Sequence, residues 1–417
     1  MEQLTDRPTS FVRNRTSLYR SIVLNLLSHM TQGFMRIELP DGEIRLIGDE
    51  HALCKADIRI VRESFFRRCV LFGDVGFGEA YVDGDWETDD ITAVIRWFLL
   101  NMENAPTLSG SGKRFVPGNF FKAVNRMVHR FHVNSVRGSR KNIAEHYDLS
   151  NEFFTLFLDE TMTYSSAIFS GAEESLKSAQ EEKYDRLCRK LKLQPTDHVL
   201  EIGSGWGGFA LHAAKKYGSR ITAVTISKEQ YDYAQERIRR EKMSDRIEVK
   251  LADYRALTGS FDKIVSIEML EAVGHEYFET YFAKCHELLK RNGILAFQVI
   301  TCADSRYASL RKGVDWIQKH IFPGSLLPSV SVLNGAINRT GDMMMQHMEE
   351  FGLSYARTLA QWRRNFNDRL DQVRKLGFDE RFIRKWNYYL SYCEGAFMMR
   401  NISVVQMVYT RPNNISY

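Results

Sequence analysis

Gly203, Gly205, Gly207 and Gly208, within the stretch VLEIGSGWGG, are the first residues whose type and spacing carry chemistry. They follow an apolar run from His198 to Ile202 that suits a strand buried on both faces, and they precede residues 209–217, which read as a helix. Strand, glycine bend and helix start make a pocket where a ligand approaches main-chain N–H groups, because glycine accepts unusual backbone angles and has no Cβ in the way. Gly203, Gly205 and Gly208 also satisfy G-x-G-x-x-G, so on this stretch alone a nicotinamide or flavin nucleotide is a rival ligand.

Three neighbours favour S-adenosylmethionine. Glu201 puts a carboxylate at the strand end, where it suits the ammonium of an amino-acid-bearing cofactor; a dinucleotide has no such cation. The next strand, residues 220–227, ends in Thr225 and Ser227 with Gln230 beyond, and lacks the acid expected there for a dinucleotide's ribose, Glu229 being the nearest. The third, residues 246–251, runs into Asp253 and Tyr254, a carboxylate and a ring suited to the amino group and face of adenine. A turn residue beside a core aromatic is the alternative for that pair.

The elements that position these residues alternate. A helix at 177–193 leads into the central strand, a fourth strand spans 261–267, a helix 277–289 and a fifth strand 293–300. Such a rhythm predicts a mainly parallel sheet covered on both faces. It breaks at residues 301–350, an insertion rich in Trp316, Ile317, Ile321, Phe322, Leu326, Leu327, Val330 and Met343, Met344, Met345 and Met348. An apolar insertion beyond a strand's carboxyl end is placed to cover the cofactor crevice and wall a channel for a greasy substrate. A strand at 353–358, a long helix at 359–376 and a final strand at 402–410 complete the expectation.

Ahead of this lies a small α+β domain, residues 1–104, with lipid binding as its candidate role. It comprises a helix at 18–30, a hairpin of strands 34–39 and 43–47 turning at Asp41-Gly42, a strand at 56–61, a helix at 63–71, a glycine-punctuated loop at 73–87 anchored by Tyr81 and Trp86, and a helix at 90–101. Residues 105–141 then contain no acid but eight fixed positive charges: Lys113, Arg114, Lys122, Arg126, Arg130, Arg137, Arg140 and Lys141. The first part reads as a linker. The second, residues 120–133, sets Phe120, Val124, Met127, Val128 and Phe131 on one helical face, which suits either an anionic membrane surface or packing on the next domain. Nucleic acid is disfavoured, since no binding motif accompanies the charge.

Length and composition agree with a two-domain soluble protein: 417 residues, 44% hydrophobic, 26% charged and a net charge of +5. Its six cysteines form no C-x-x-C pair, so neither a disulfide framework nor a metal site is indicated, and the reducing cytoplasm is expected. No run suits a membrane-spanning helix and no signal-peptide core is visible.

Taken together, GFGEAYVDGDWE, AEHYDLSNEFF, TMTYSSAIF, VLEIGSGWGG, VTISKEQ, LADYRAL, FDKIVSIEMLEAVG, DWIQKHIFPGSLLPS and CEGAFMMRNISVVQ resemble the cyclopropane-fatty-acyl-phospholipid synthases and the related mycolic acid cyclopropane synthases over nearly the whole chain. The resemblance implies a class I S-adenosylmethionine-dependent methyltransferase, with a Rossmann-like α/β sheet over residues 142–417. It would act on the double bond of an unsaturated acyl chain in a phospholipid, closing a cyclopropane ring, or leaving a methyl-branched or methylidene chain if a different proton is lost. It implies cofactor contacts at Tyr164, Ser165, Gly203, Ser204, Gly205, Gly207, Thr225 to Gln230, Asp253 and Tyr254. Ile267, at the end of strand four, is placed with them, and His146 matches a histidine near the cofactor.

The resemblance further implies a bicarbonate ion that takes the released proton, held by Glu271, Tyr355, the backbone of Ile300 and two altered positions. Ser166 stands where the pattern has cysteine and Gln298 where it has histidine; the histidine that follows the glutamate in the pattern is also absent, replaced by Ala272. Serine and glutamine still offer hydrogen bonds. Glu271 is the one carboxylate the sequence reading puts beside the reacting carbon. Peripheral attachment to the inner membrane face is expected, and a homodimer is left open.

Overall fold

The computed structural model describes residues 18–102 and 149–415. The basic segment at 105–141 with its expected amphipathic helix, and His146, lie outside the described residues.

In the front part, alternating apolar and polar residues give Phe34–Glu38 (β1), Ile44–Gly48 (β2) and Lys55–Ile60 (β3), joined at the edge by the short strand Trp86–Glu87 (β4) in the order β2-β1-β3-β4. β1 and β2 form the antiparallel hairpin, and β1 runs parallel to β3. Their inward residues Met35, Ile37, Ile58 and Ile60 are buried in one cluster with Leu27 of helix Leu18–Ser28 and Trp97 of helix Ile91–Leu100. The latter helix starts where Asp90 accepts the Ala93 N–H at 3.0 Å, a cap that contributes about 1 kcal/mol.

One expectation here is corrected. The stretch at 73–87 is not a loop: Ser64–Val82 is helical and broken only at Gly73, with φ 59° and ψ −131°. The other glycines serve packing. A Cβ on Gly76 would lie 2.3 Å from the Arg68 carbonyl, and one on Gly78 2.5 Å from the Trp316 ring. Tyr81 and Trp86 are buried anchors, the Trp86 indole N–H donating to the Phe77 carbonyl at 2.9 Å.

The rest of the chain is a seven-stranded sheet. His198–Ile202 (β5), Arg220–Thr225 (β6), Ile247–Leu251 (β7), Phe261–Ile267 (β8) and Leu289–Cys302 (β9) run parallel, and Met344–Glu350 (β10) and Ile402–Thr410 (β11) lie antiparallel at one edge. The order is β10-β11-β9-β8-β5-β6-β7. Chain direction across the sheet reverses at β5 and β8, which opens a crevice beyond their carboxyl ends. This is the mainly parallel sheet expected from the strand and helix rhythm, in the class I methyltransferase order that the resemblance implies.

Two further expectations change. Residues 353–358 are not a strand but the start of helix Gly352–Asn367, whose Tyr355, Ala356, Leu359, Trp362 and Phe366 are buried at helical spacing. The apolar insertion does two jobs instead of one. Its first half, with helix Trp316–His320, walls the crevice, whereas helix Val330–Thr340 packs on helix Phe278–Leu288 away from it. Met344, Met345 and Met348 sit exposed on the edge strand β10, so they cover no channel. An additional helix, Glu380–Met398, packs against both Gly352–Asn367 and Ile91–Leu100. Its Arg384 donates to the carbonyls of Tyr81 and Trp86, and Thr92 donates to Glu394 at 3.1 Å, so the front sheet and the seven-stranded sheet share a wall. Among the described residues, no helix is long and apolar enough to cross a membrane.

Candidate active site

Beyond β5 and β8 lies a cavity of about 1960 Å³, two or more times the roughly 300–1,000 Å³ that holds a single drug-sized ligand. One end is the glycine bend. Gly203, Gly205 and Gly207 all have positive φ (87°, 48° and 82°), and the N–H groups of Gly203 and Ser204 are tied to the Val224 carbonyl on β6, which fixes the bend to the sheet. Among the described residues, a Cβ built on Gly205 meets nothing within 4 Å, so the missing side chain leaves open space beside the main chain. Below it, Glu201 is buried, its Oε2 has no hydrogen-bond partner among the described residues, and burial pushes its carboxyl well above the usual range despite the nearby Lys183 charge. An open cradle over an unpartnered carboxyl fits a ligand bearing an amino group or hydroxyls.

Tyr164, Ser165, Glu201, Gly203, Ser204, Gly205, Thr225, Gln230, Asp253, Tyr254 and Ile267 all line this cavity, as do Glu271 and Tyr355. Gly207 and Ser227 stand behind the wall. Ser227 caps helix Lys228–Arg240 by accepting the Gln230 N–H, and its hydroxyl donates to Glu229, which places that acid on the cap. Thr225 donates to Gln230 Oε1 at 2.9 Å, orienting the Gln230 amide. Asp253 is engaged by its neighbour: Arg255 donates from its backbone, Nε and Nη2 at 2.9, 2.9 and 2.7 Å. The turn role is therefore present beside any role toward adenine.

The second cluster lies where the polar ring around Glu271 was expected, and its centre is a different residue. Glu268, immediately after β8, accepts from the Ser166 N–H at 2.8 Å, from Gln298 Nε2 at 2.7 Å and from the Tyr355 hydroxyl at 2.8 Å. Glu271 is not the one carboxylate here. Ser166 and Gln298 are fully buried behind Glu268 and do not reach the cavity; the Ser166 hydroxyl donates instead to the Ala167 carbonyl. The donors assigned to bicarbonate are thus turned onto a side chain of the protein. Glu271 keeps the other expected partner, accepting the Ile300 N–H at 2.6 Å, while its Oε2 is buried with no partner among the described residues.

Electrostatics separate the two carboxyls. Burial pushes Glu271 up to about 8, the charge of Glu268 adds to this, and the Ile300 N–H opposes it. Burial raises Glu268 too, but Lys183 and its three donors pull the other way. With three donors aimed at it, Glu268 is the member that holds the negative charge, and Glu271 holds the proton near neutral pH. Lys183 is itself fully buried, donates to Ser165 Oγ at 2.7 Å, and is brought down to about 7 by burial. The Gln298 amide is set from the surface inward: Lys190 donates to Gln406 Oε1 at 2.6 Å, and Gln406 Nε2 to Gln298 Oε1 at 3.1 Å, which leaves the Gln298 NH₂ for Glu268. Burial and the Glu268 charge keep the Tyr355 phenol protonated.

Two signals mark Glu268. It is a second carboxylate three residues before Glu271, at the carboxyl end of a central strand, and it holds φ at 49°, a conformation a non-glycine residue adopts only under constraint.

Aromatic rings close the site. Tyr164 lies 5.2 Å from Trp362 and shares a hydroxyl contact of 2.8 Å with Tyr389; Tyr355 packs on Phe397 at 4.5 Å. Past them the cavity enters the front part, where Leu26, Val70, Val75, Phe98 and Leu99 line it.

Residues 134–407 match the family described as mycolic acid cyclopropane synthetase. The tuberculostearic acid methyltransferase UfaA1 of Mycobacterium tuberculosis is 37% identical over 359 residues, 84% of this chain and 82% of that protein. The cyclopropane-fatty-acyl-phospholipid synthase of Escherichia coli is 37% identical over 358 residues, 85% of this chain and 88% of that one. Among solved structures, mycolic acid cyclopropane synthase CmaA1, complexed with S-adenosylhomocysteine and CTAB, superposes with a TM-score of 0.60 at 30% identity, covering 65% of this chain and 98% of that one.

Proposed function

The chain belongs to the mycolic acid cyclopropane synthetase family and is an S-adenosylmethionine-dependent methyltransferase; from that premise we propose that it methylates the double bond of an unsaturated acyl chain carried by a membrane phospholipid and closes a cyclopropane ring. The observation that carries this reading is one continuous cavity that runs, among the described residues, from the glycine bend, past two carboxyls and a wall of aromatic rings, into an apolar end between the front helices. A polar end, a reacting centre and a long greasy end suit a cofactor and an acyl chain meeting at its alkene.

S-adenosylmethionine supplies an electrophilic methyl group when bound. Gly203, Ser204 and Gly205 would hold it against the bend, with Glu201 beneath and Gln230, Asp253 and Tyr254 at its far side. The protein's own part is positional and electrostatic. The apolar walls exclude water from a carbocation that would otherwise be captured by it. The ring faces of Tyr164 and Tyr355 stabilise positive charge on the acyl chain by contact worth about 2 kcal/mol when desolvated.

A second reading, loss of a proton that leaves a methylidene chain, is favoured by the altered polar positions Ser166, Ala272 and Gln298 and by the similarity to a tuberculostearic acid methyltransferase. A saturated methyl branch would require a separate two-electron reductant. The basic segment at 105–141 is assigned to an anionic membrane surface, from its charge and its apolar stripe. The test is mass spectrometry of lipids after incubation of the protein with S-adenosylmethionine and vesicles of monounsaturated phospholipid. A product heavier by one CH₂ that resists mild hydrogenation supports the ring; one that takes up hydrogen supports the methylidene; unchanged lipid refutes the function.

A further inference from the structure

We propose that Glu268 is the proton acceptor of the reaction, so that this enzyme carries as a side chain the base for which the resemblance implies a bound bicarbonate ion. The inference rests on the alkene-methylating function proposed above. Four observations support it.

The first is substitution of place. Of the five groups expected around an external anion, three point at Glu268: residue 166 through its N–H, Gln298 and Tyr355. A fourth, the Ile300 N–H, is taken by Glu271. A bicarbonate ion would have to displace a carboxylate from its own donors and sit beside its charge, which a second anion at such distance strongly disfavours.

The second is access. Glu268 is enclosed by protein yet borders the cavity, as do Glu271 and Tyr355, whereas Ser166 and Gln298 do not. The acceptor and its supports are thus in two tiers, the carboxylate at the surface of the cavity and the orienting groups behind it. The third is rigidity. Glu268 is pinned at φ 49°, its backbone N–H bonded to the Gln298 carbonyl at 2.8 Å, and the orientation of Gln298 is fixed through Gln406 and Lys190. The last is the proton's state. Glu271, already protonated near neutral pH, is the weaker candidate for taking another proton, and its role is to hold the pair's charge on Glu268.

The step balances without another reactant. A C–H bond of the newly attached methyl group breaks, its electron pair forms the third bond of the ring to the cationic carbon, and the proton passes to a carboxylate oxygen of Glu268. The neutral carboxyl then loses the proton to solvent when product leaves.

The test compares wild type, Glu268→Gln and Glu268→Gly in buffer stripped of carbon dioxide, with and without added sodium bicarbonate, measuring lipid product and S-adenosylhomocysteine together. Wild-type turnover should stay within twofold whether bicarbonate is present or not. Glu268→Gln should lose roughly 10²–10⁴-fold, the usual worth of a positioned base, with S-adenosylmethionine affinity within threefold of wild type. Glu268→Gly, which empties the position, should regain at least tenfold on addition of bicarbonate. Wild-type turnover that collapses without bicarbonate, or a Glu268→Gln variant of full activity, overturns the inference while leaving the function standing. A wild type that methylates no unsaturated lipid overturns both. If Glu268→Gly fails to fold, the wild-type dependence and the Glu268→Gln rate still decide.

Discussion

Replacing Glu271 by glutamine should make the folded protein gain stability relative to wild type as pH rises. An unfolded glutamate titrates near about 4.3, whereas burial and the adjacent Glu268 hold the folded Glu271 at about 8. The folded state therefore keeps a proton that the unfolded chain gives up, and stability falls as pH climbs through that window. Each pH step of one in the window costs about 1.4 kcal/mol, so Glu271 weakens the fold by about 1 kcal/mol at pH 5 and about 5 kcal/mol at pH 8.5. Glutamine carries no such titration, and its carbonyl can still accept the Ile300 N–H that Oε1 accepts at 2.6 Å. The free-energy gap between variant and wild type, measured by urea unfolding without ligand, should thus shift by about 3–4 kcal/mol in the variant's favour between pH 5 and pH 8.5. A gap that is equal at both pH values would refute the assignment of the proton to Glu271, and with it the division of labour between the two carboxyls.

Other substitutions probe the rest of the cavity. Gly205→Val should abolish S-adenosylmethionine binding in calorimetric titration while the circular-dichroism spectrum stays native, because the side chain enters the open cradle and a branched residue at φ 48° adds about 1–2 kcal/mol of backbone strain; unchanged affinity would move the cofactor elsewhere. Leu99→Trp, at the apolar end, should depress turnover of long acyl chains more than short ones, and an equal loss for both would show that the chain does not reach the front helices. Reversing Lys122, Arg126 and Arg130 to glutamate should weaken sedimentation with anionic vesicles, since each basic residue at such a surface contributes about 1 kcal/mol, and vesicle binding that does not change would reassign that segment to packing.

The sequence was most legible where structure is local. The apolar runs at β5, β6 and β8 and the glycine bend between β5 and its helix follow from short-range pattern, and their bounds agree to within two residues. It was least legible where one residue type has two uses. Gly76 and Gly78 read as turn residues but are there because Arg68 and Trp316 come too close for a side chain. Residues 353–358 read as a strand, yet Tyr355, Leu359 and Trp362 share the buried face of a helix. The part Glu268 plays was hidden for a different reason, although its place beside Glu271 was a signal. Its donors stand 102, 30 and 87 residues away, so its environment exists only after β8, β9 and helix Gly352–Asn367 are assembled.

The central claim, that the transferred methyl group itself surrenders a proton to the protein, is tested most directly with S-adenosylmethionine carrying a fully deuterated methyl group. Mass spectrometry of the lipid product should show two deuterium atoms at the added carbon, the third having left by way of Glu268 to solvent. Retention of all three would mean that the methyl group is added intact, and would contradict the account.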